Sequence, residues 1–228
     1  MRIARIICCC ISVSASTLVY AQTTTPEKPA DSVRQHQLRI GFDLAKVAIN
    51  LAQQVNTSYE AEVDYALRRK DKELYGVLEA GWGSAKVNYA DLKYNSSNPF
   101  VRIGVDKGLL PRLFPKDWDM AFIGLRYGFA PVRRGEATFA TTASVWNTTA
   151  GTVPAESLSY HWAELTGGIR VELLPGFFTG WNVRAKFLMN GSEKNELRPS
   201  YVAGYGKGDN NTAFDFNVWA LYAIRWNK

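Results

Sequence analysis

The sequence predicts an all-β protein, an eight-stranded antiparallel transmembrane β-barrel with a lipid-facing apolar row and a charged lumen. Three features point there. Apolar residues alternate with small or charged ones along much of the chain, as in Ala121-Phe-Ile-Gly-Leu-Arg-Tyr-Gly-Phe129, so each strand carries one apolar and one polar face. Beyond the N-terminus there is no uncharged apolar run of about 18 residues, the length that would suggest a spanning helix. The connections are by turns short and long, the pattern of outer-membrane barrels.

The N-terminus fits a cleaved export signal. Arg2 and Arg5 precede an apolar stretch from Ile6, and Val19-Tyr20-Ala21 offers a small-residue cleavage site. Residues 1–21 are expected to be removed, leaving Gln22 first. Residues 22–34, polar and carrying Pro26 and Pro29, read as a flexible periplasmic lead-in, and residues 35–228 as the barrel. All 3 cysteines, Cys8, Cys9 and Cys10, fall inside the signal. A mature chain without cysteine has neither a disulfide framework nor a thiolate metal site. A lipoprotein signal would put its apolar core before the cysteine, and here the core follows it. The formal net charge of +6 drops to about +4 without Arg2 and Arg5, a surplus that does not point to nucleic acid.

The strands follow in order. The first, residues 37–45, sets Leu38, Ile40, Phe42 and Leu44 against Arg39 and Asp43. The second, 57–68, sets Tyr59, Ala61, Val63, Tyr65 and Leu67 against Glu60, Glu62, Asp64 and Arg68. The third, 74–84, sets Leu78, Ala80 and Trp82 against Glu79, Gly81 and Gly83. The fourth, 100–106, sets Val101, Ile103 and Val105 against Arg102, Gly104 and Asp106. The fifth is 121–129, with Arg126 on its polar side. The sixth, 160–173, sets Leu165, Ile169, Val171 and Leu173 against Glu164, Thr166, Arg170 and Glu172. The seventh, 178–189, sets Trp181, Val183, Ala185 and Phe187 against Asn182, Arg184 and Lys186. The eighth, 213–226, sets Phe214, Phe216, Val218, Tyr222, Ile224 and Trp226 against Asp215, Asn217 and Arg225.

Connections after strands two and six are tight, at 69–73 and 174–176. Those after strands one, three, five and seven are longer, the longest being 130–159 and 190–212. An even strand count places both termini on the short-turn side, the periplasm. Residues 107–118 break the rule. This stretch should be a tight turn, yet it holds Leu109, Leu110, Leu113 and Phe114 between Lys107, Arg112 and Lys116. Inner-leaflet lipid, the open lower end of the barrel or a partner protein could bury these residues.

Volume decides which face points inward. An eight-stranded barrel has room inside for side chains and little else. The apolar row brings Tyr59, Trp82, Tyr127, Phe129, Trp162, Trp181, Phe187, Phe216, Tyr222 and Trp226, too much bulk for that space. The other row carries Gly41, Gly81, Gly104, Gly124, Gly128 and Gly168, which suit a crowded interior. Acids and bases on the polar row nearly balance, so a closed, salt-bridged lumen is expected instead of an open channel. Its expected members include Arg39, Asp43, Glu60, Glu62, Asp64, Arg102, Arg126, Arg170, Arg184 and Asp215. The final strand ends Tyr222-Ala-Ile-Arg-Trp226, a form of C-terminal strand read by barrel-assembly machinery.

Several short motifs occur in sequence: Arg39-Ile-Gly-Phe-Asp-Leu44, Tyr59-Glu-Ala-Glu-Val-Asp-Tyr65, Glu79-Ala-Gly-Trp82, Val101-Arg-Ile-Gly-Val-Asp106 and Gly124-Leu-Arg-Tyr-Gly-Phe129. In this order they resemble an uncharacterised family of small outer-membrane β-barrel proteins of Bacteroidota. The resemblance covers most of the mature chain and implies an outer-membrane barrel. It brings no catalytic residue with it.

Chemistry is sparse. Some eight-stranded barrels modify lipid A with Ser, His and a carboxylate near the outer leaflet. Ser159 and His161 sit two apart on one face at the outer end of strand six, close enough for a dyad, yet no carboxylate is placed to orient His161. His36 has no evident partner. Glu60, Glu62 and Asp64 share one inward face and could hold a cation, although arginines on neighbouring strands are the commoner partners. No cofactor motif occurs. The expectation is a non-enzymatic barrel with a structural or accessory role, a subunit of a larger outer-membrane complex with an outer-membrane or periplasmic protein partner. The alternative is an adhesin-like surface-loop binder, with a lipid-modifying enzyme and a narrow pore as minor readings. The remaining expected partners are outer-membrane lipid and, during insertion, the assembly machinery.

Overall fold

The computed structural model describes residues 35–52, 56–69, 72–110, 117–144, 147–190 and 197–227. The expected signal at 1–21, the lead-in at 22–34, Leu113, Phe114 and the Arg68 side chain lie outside the described residues. The described residues belong to one compact unit, Ser32–Lys228.

Ten strands and one helix follow in order: β1 (Gln35–Asp43), α1 (Leu44–Ala52), β2 (Asn56–Arg69), β3 (Lys72–Asn88), β4 (Leu92–Gly108), β5 (Met120–Arg134), β6 (Ala137–Ser144), β7 (Asn147–Val153), β8 (Glu156–Leu174), β9 (Phe177–Leu188) and β10 (Thr212–Asn227). Eight of them close into an antiparallel ring, β1-β2-β3-β4-β5-β8-β9-β10, and these are the eight strands expected from the sequence. The ring is sealed where β10 returns to β1, in register from Gln35↔Asn227 to Asp43↔Trp219. At that seam His36 stacks with Trp226 at 5.8 Å between centroids, and its Nδ1 lies 2.6 Å from the Tyr65 hydroxyl. His36 therefore does have partners, one on each neighbouring strand.

The barrel is inside-out. Along β5 buried and exposed residues alternate strictly at the centre, with Phe122, Gly124, Arg126 and Gly128 inward and Ile123, Leu125 and Tyr127 exposed. The exterior shows Ile103 at 62%, Leu125 at 64% and Val183 at 47% exposure, while Arg102, Arg170 and Arg184 are fully buried. That exterior suits lipid. A one-residue slip of any strand would move its charges outward, so the buried row pins the register.

Three expectations are corrected. The first strand is expected to reach Ala45, but it stops at Asp43, whose carboxylate accepts from the Ala45 N–H at 2.9 Å and caps α1. The connection after strand three is expected to be long. Instead β3 and β4 pair as far as Asn88↔Lys93 around a short turn at residues 89–91. Inside the expected loop 130–159, β5 and β8 extend, and β6 pairs with β7 as a hairpin whose Phe139 joins Leu92 of β4. Strands of 17 to 19 residues exceed the roughly 9–11 that cross a bilayer, so this side of the ring rises into a wall at the loop end.

A further correction concerns Trp162, placed above on the outer row. It shares parity with Glu164, points inward and is fully buried. Gly128 makes room for it. A Cβ there would overlap the indole ring.

Candidate functional site

The residues that carry charge converge in the lumen, and every strand of the ring contributes. Toward the turn end, where β1 begins and β10 ends, Arg39 Nε pairs with both oxygens of Asp64 at 2.8 and 3.0 Å, and its guanidinium lies 4.4 Å above the Tyr75 ring. Arg170 bridges Asp64 and Glu62. At mid-height Glu79 is the hub. It meets Arg184 at 2.5 Å, Arg102 at 2.5 Å and Arg126 at 2.8 Å. Arg126 also holds Asp106 at 3.0 Å, and Arg102 reaches Glu60 at 3.1 Å and Glu164 at 2.9 Å. Trp162 Nε1 donates to Glu164 at 2.6 Å, which explains an indole on the polar row.

Of the expected set, Arg39, Glu60, Glu62, Asp64, Arg102, Arg126, Arg170 and Arg184 meet in this network, Asp43 reaches it through Asn217, and Asp215 pairs with lysines instead. Glu60, Glu62 and Asp64 face Arg102, Arg170 and Arg39, so the triple carboxylate is an arginine acceptor. Among the described residues, no group of His, Cys, Asp or Glu is arranged to hold a metal ion. Taking so many charges out of water costs nearly what their pairing returns, so the net gain in stability from the whole network is small.

The mouth is closed by residues 202–205, inside the long connection expected at 190–212. Val202, Ala203 and Tyr205 are buried in a cluster with Phe100, Ala130, Val132, Tyr160 and Trp162. The Gly204 carbonyl accepts from Arg102 Nη2 at 2.8 Å and from Lys186 Nζ at 2.7 Å. The Asn98 amide clasps the Ala203 backbone, donating at 3.1 Å and accepting at 3.0 Å. Gly204 has φ +83°, and a Cβ on it would lie 2.5 Å from the Phe100 ring, so only glycine fits this close approach. The run Tyr201-Val-Ala-Gly-Tyr205, apolar within a polar stretch, was the available signal.

Beside it, Asp215 takes Lys186 and Lys46, each at 2.8 Å. Asn217 links Asp43 to Glu60.

The Ser159 and His161 pair does not assemble as a dyad. His161 Nδ1 bonds the Tyr127 hydroxyl, and its ring lies 4.8 Å from Phe129. Asn190 binds the Ser159 carbonyl and the His161 N–H, tying backbone to backbone. This is an aromatic cluster on the outer face, with the imidazole nitrogen that would serve as a base's anchor taken by tyrosine.

At the turn end Leu109 and Leu110 are exposed. Leu109 continues the outward row of Val101, Ile103 and Val105. Trp118 folds the other way and is buried in the lower lumen with Phe178, Trp219 and Leu221. The Arg225 guanidinium lies 4.7 Å over its ring and pairs with Glu172 at 2.8 Å. Trp118, Glu172 and Arg225, with Asp117, Asp119 and the turn residues Leu173, Leu174 and Pro175, line an open cavity of about 670 Å³. Leu109 and Leu110 thus stay uncovered by this chain, and Trp118 alone of the connection's described large apolar side chains turns into the barrel.

The profile of one protein family, described as Domain of unknown function (DUF6048), matches residues 3–228. The chain belongs to the DUF6048 family. No curated protein matches this DUF6048 chain significantly. Among solved structures, it is similar to Ail, the attachment invasion locus protein of Yersinia pestis, at 10% identity and a TM-score of 0.39, covering 84% of this chain and 98% of that one. It is also similar to Neisserial surface protein A, at 7% identity and a TM-score of 0.36, covering 85% and 96%.

Proposed function

We propose that this DUF6048 chain is a closed, non-conducting outer-membrane barrel with a structural or accessory role, exported through a cleaved signal and seated in a larger outer-membrane complex. The observation that carries the reading is the filled lumen. Arginines and carboxylates from every strand interlock, and the Gly204 strap is bonded to that network from above. A barrel with its interior occupied in this way acts through its surfaces. The motifs quoted above support assignment to a Bacteroidota outer membrane. Ser159 and His161 have no catalytic part in this reading.

A second reading rests on the raised wall of β3 to β8. A rigid β-surface held above the membrane suits an adhesin-like binder of an external protein. Native extraction of membranes separates the two. Recovery of a stable complex with another outer-membrane or periplasmic protein supports the accessory role. Recovery of the barrel alone, with cell-surface binding lost on deleting the β6–β7 hairpin, supports the binder. Steady ion currents from purified protein in planar bilayers would refute the closed lumen common to both.

A further inference from the structure

At one place the barrel wall lacks a strand. β1 pairs with β10 no further than Trp219 and with β2 no further than Ala61. Residues 212–218 of β10 and 56–60 of β2 rise beyond that point with no β1 between them. α1 leaves the top of β1 and lies against both. Its inner side is polar. Lys46 reaches Asp215 of β10, and Asn50 brackets Ser58 of β2, donating to its carbonyl at 2.6 Å and accepting from its N–H at 3.0 Å. The Asn50 amide thereby takes the backbone bonds a neighbouring strand would have made. Asp43 serves β10 in the same way, accepting from the Val218 N–H at 3.2 Å.

The opposite side of α1 is a different surface. At 100° per residue, Leu44, Val47, Ala48 and Leu51 fall on one stripe, turned away from Lys46 and Asn50. All four are exposed, Leu51 at 82%. The stripe carries no charge. It is flanked by Phe42 on β1, Phe214 and Phe216 on β10 and Tyr59 on β2, all exposed members of the outer apolar belt.

We propose that α1 is a wall element in the outer leaflet, closing the gap between β2 and β10 and presenting Leu44, Val47, Ala48 and Leu51 to lipid acyl chains. The occupant is lipid because the stripe continues the belt without a polar break, and a helix with one bonded polar face and one bare apolar face is the form that lies in a membrane interface. The inference rests on the outer-membrane placement proposed above.

Spin labels on single cysteines test it, in the full chain with Cys8, Cys9 and Cys10 replaced by Ser and the protein inserted in phospholipid vesicles. Leu51→Cys reports the stripe, Val183→Cys the belt, and Glu136→Cys the exposed turn between β5 and β6. The expected result is that the label at 51 matches the one at 183, relaxing with dissolved oxygen and not with a water-soluble nickel chelate, while the label at 136 does the reverse. If 51 follows 136 while 183 stays in lipid, α1 lies in water and the proposal fails with the barrel reading intact. If 183 itself meets the chelate, the membrane placement fails. If 51 is shielded from both reagents, protein covers the stripe and lipid contact is refuted.

Discussion

Replacing Arg170 by Met should cost about 3–5 kcal/mol, the penalty for stranding a buried charge. Arg170 is the guanidinium paired with Glu62, and both side chains are about 1% exposed or less. The other acids near it have alternatives. Asp64 keeps Arg39 at 2.8 Å and Asp106 keeps Arg126 at 3.0 Å. The loss therefore falls on Glu62, and a methionine of similar length keeps the volume over Phe122 nearly filled. If the penalty is the stranded carboxylate, Glu62→Gln in the same chain should recover about half of it. The double variant would then stand about 1–3 kcal/mol below wild type, the cost of a poorly bonded buried amide. The assay is urea unfolding in lipid vesicles, followed by tryptophan fluorescence and by the heat-dependent gel shift of folded barrels. A single variant within 1 kcal/mol of wild type, or a double variant no better than the single, would refute the reasoning.

Two other outcomes are expected. Val183→Arg should impair insertion more than Arg184→Val: the first puts a cation on the lipid face at about 2–4 kcal/mol, whereas the second leaves Glu79 with Arg102 and Arg126; the gel shift ranks them. Gly128→Ala should cost about 1–3 kcal/mol by overlap with Trp162, and Trp162→Phe in the same chain should return part of it in urea titrations.

The ring was legible because a membrane barrel writes its geometry at period two. Val101-Arg-Ile-Gly-Val-Asp106 states which residues face out, and the structure agrees residue for residue. The lumen set was legible for the same reason, since a charge in that pattern has one place to go. The pairing was not. Which arginine meets Glu79 depends on the stagger of strands across the barrel, and no local pattern encodes it. Trp162 was misread because its bulk argued outward while its parity argued inward, and parity won once Gly128 cleared the space. α1 carried a readable signal in Asp43 before Leu44, Val47, Ala48 and Leu51, but a strand ending at Ala45 had absorbed its first turn. The β6–β7 hairpin was hidden because Thr-Thr-Ala-Ser and Asn-Thr-Thr-Ala look like solvated loop, although β-branched threonine is at home in strands.

A finished ring has no edges, but a growing one has two. Until β10 meets β1, each offers a row of unpaired backbone groups to any other chain in the envelope. The cluster of His36, Tyr65 and Trp226, each ring about 6 Å from the other two, needs residues from β1, β2 and β10 at once. It cannot form on a partly folded sheet, nor on one closed a step out of register, because His36 would then face a different rung of β10. The three rings therefore mark the closed, correctly registered ring, on the rim where β1 begins and β10 ends. A Trp226 whose emission reports its neighbours would mark the moment when the protein stops being sticky.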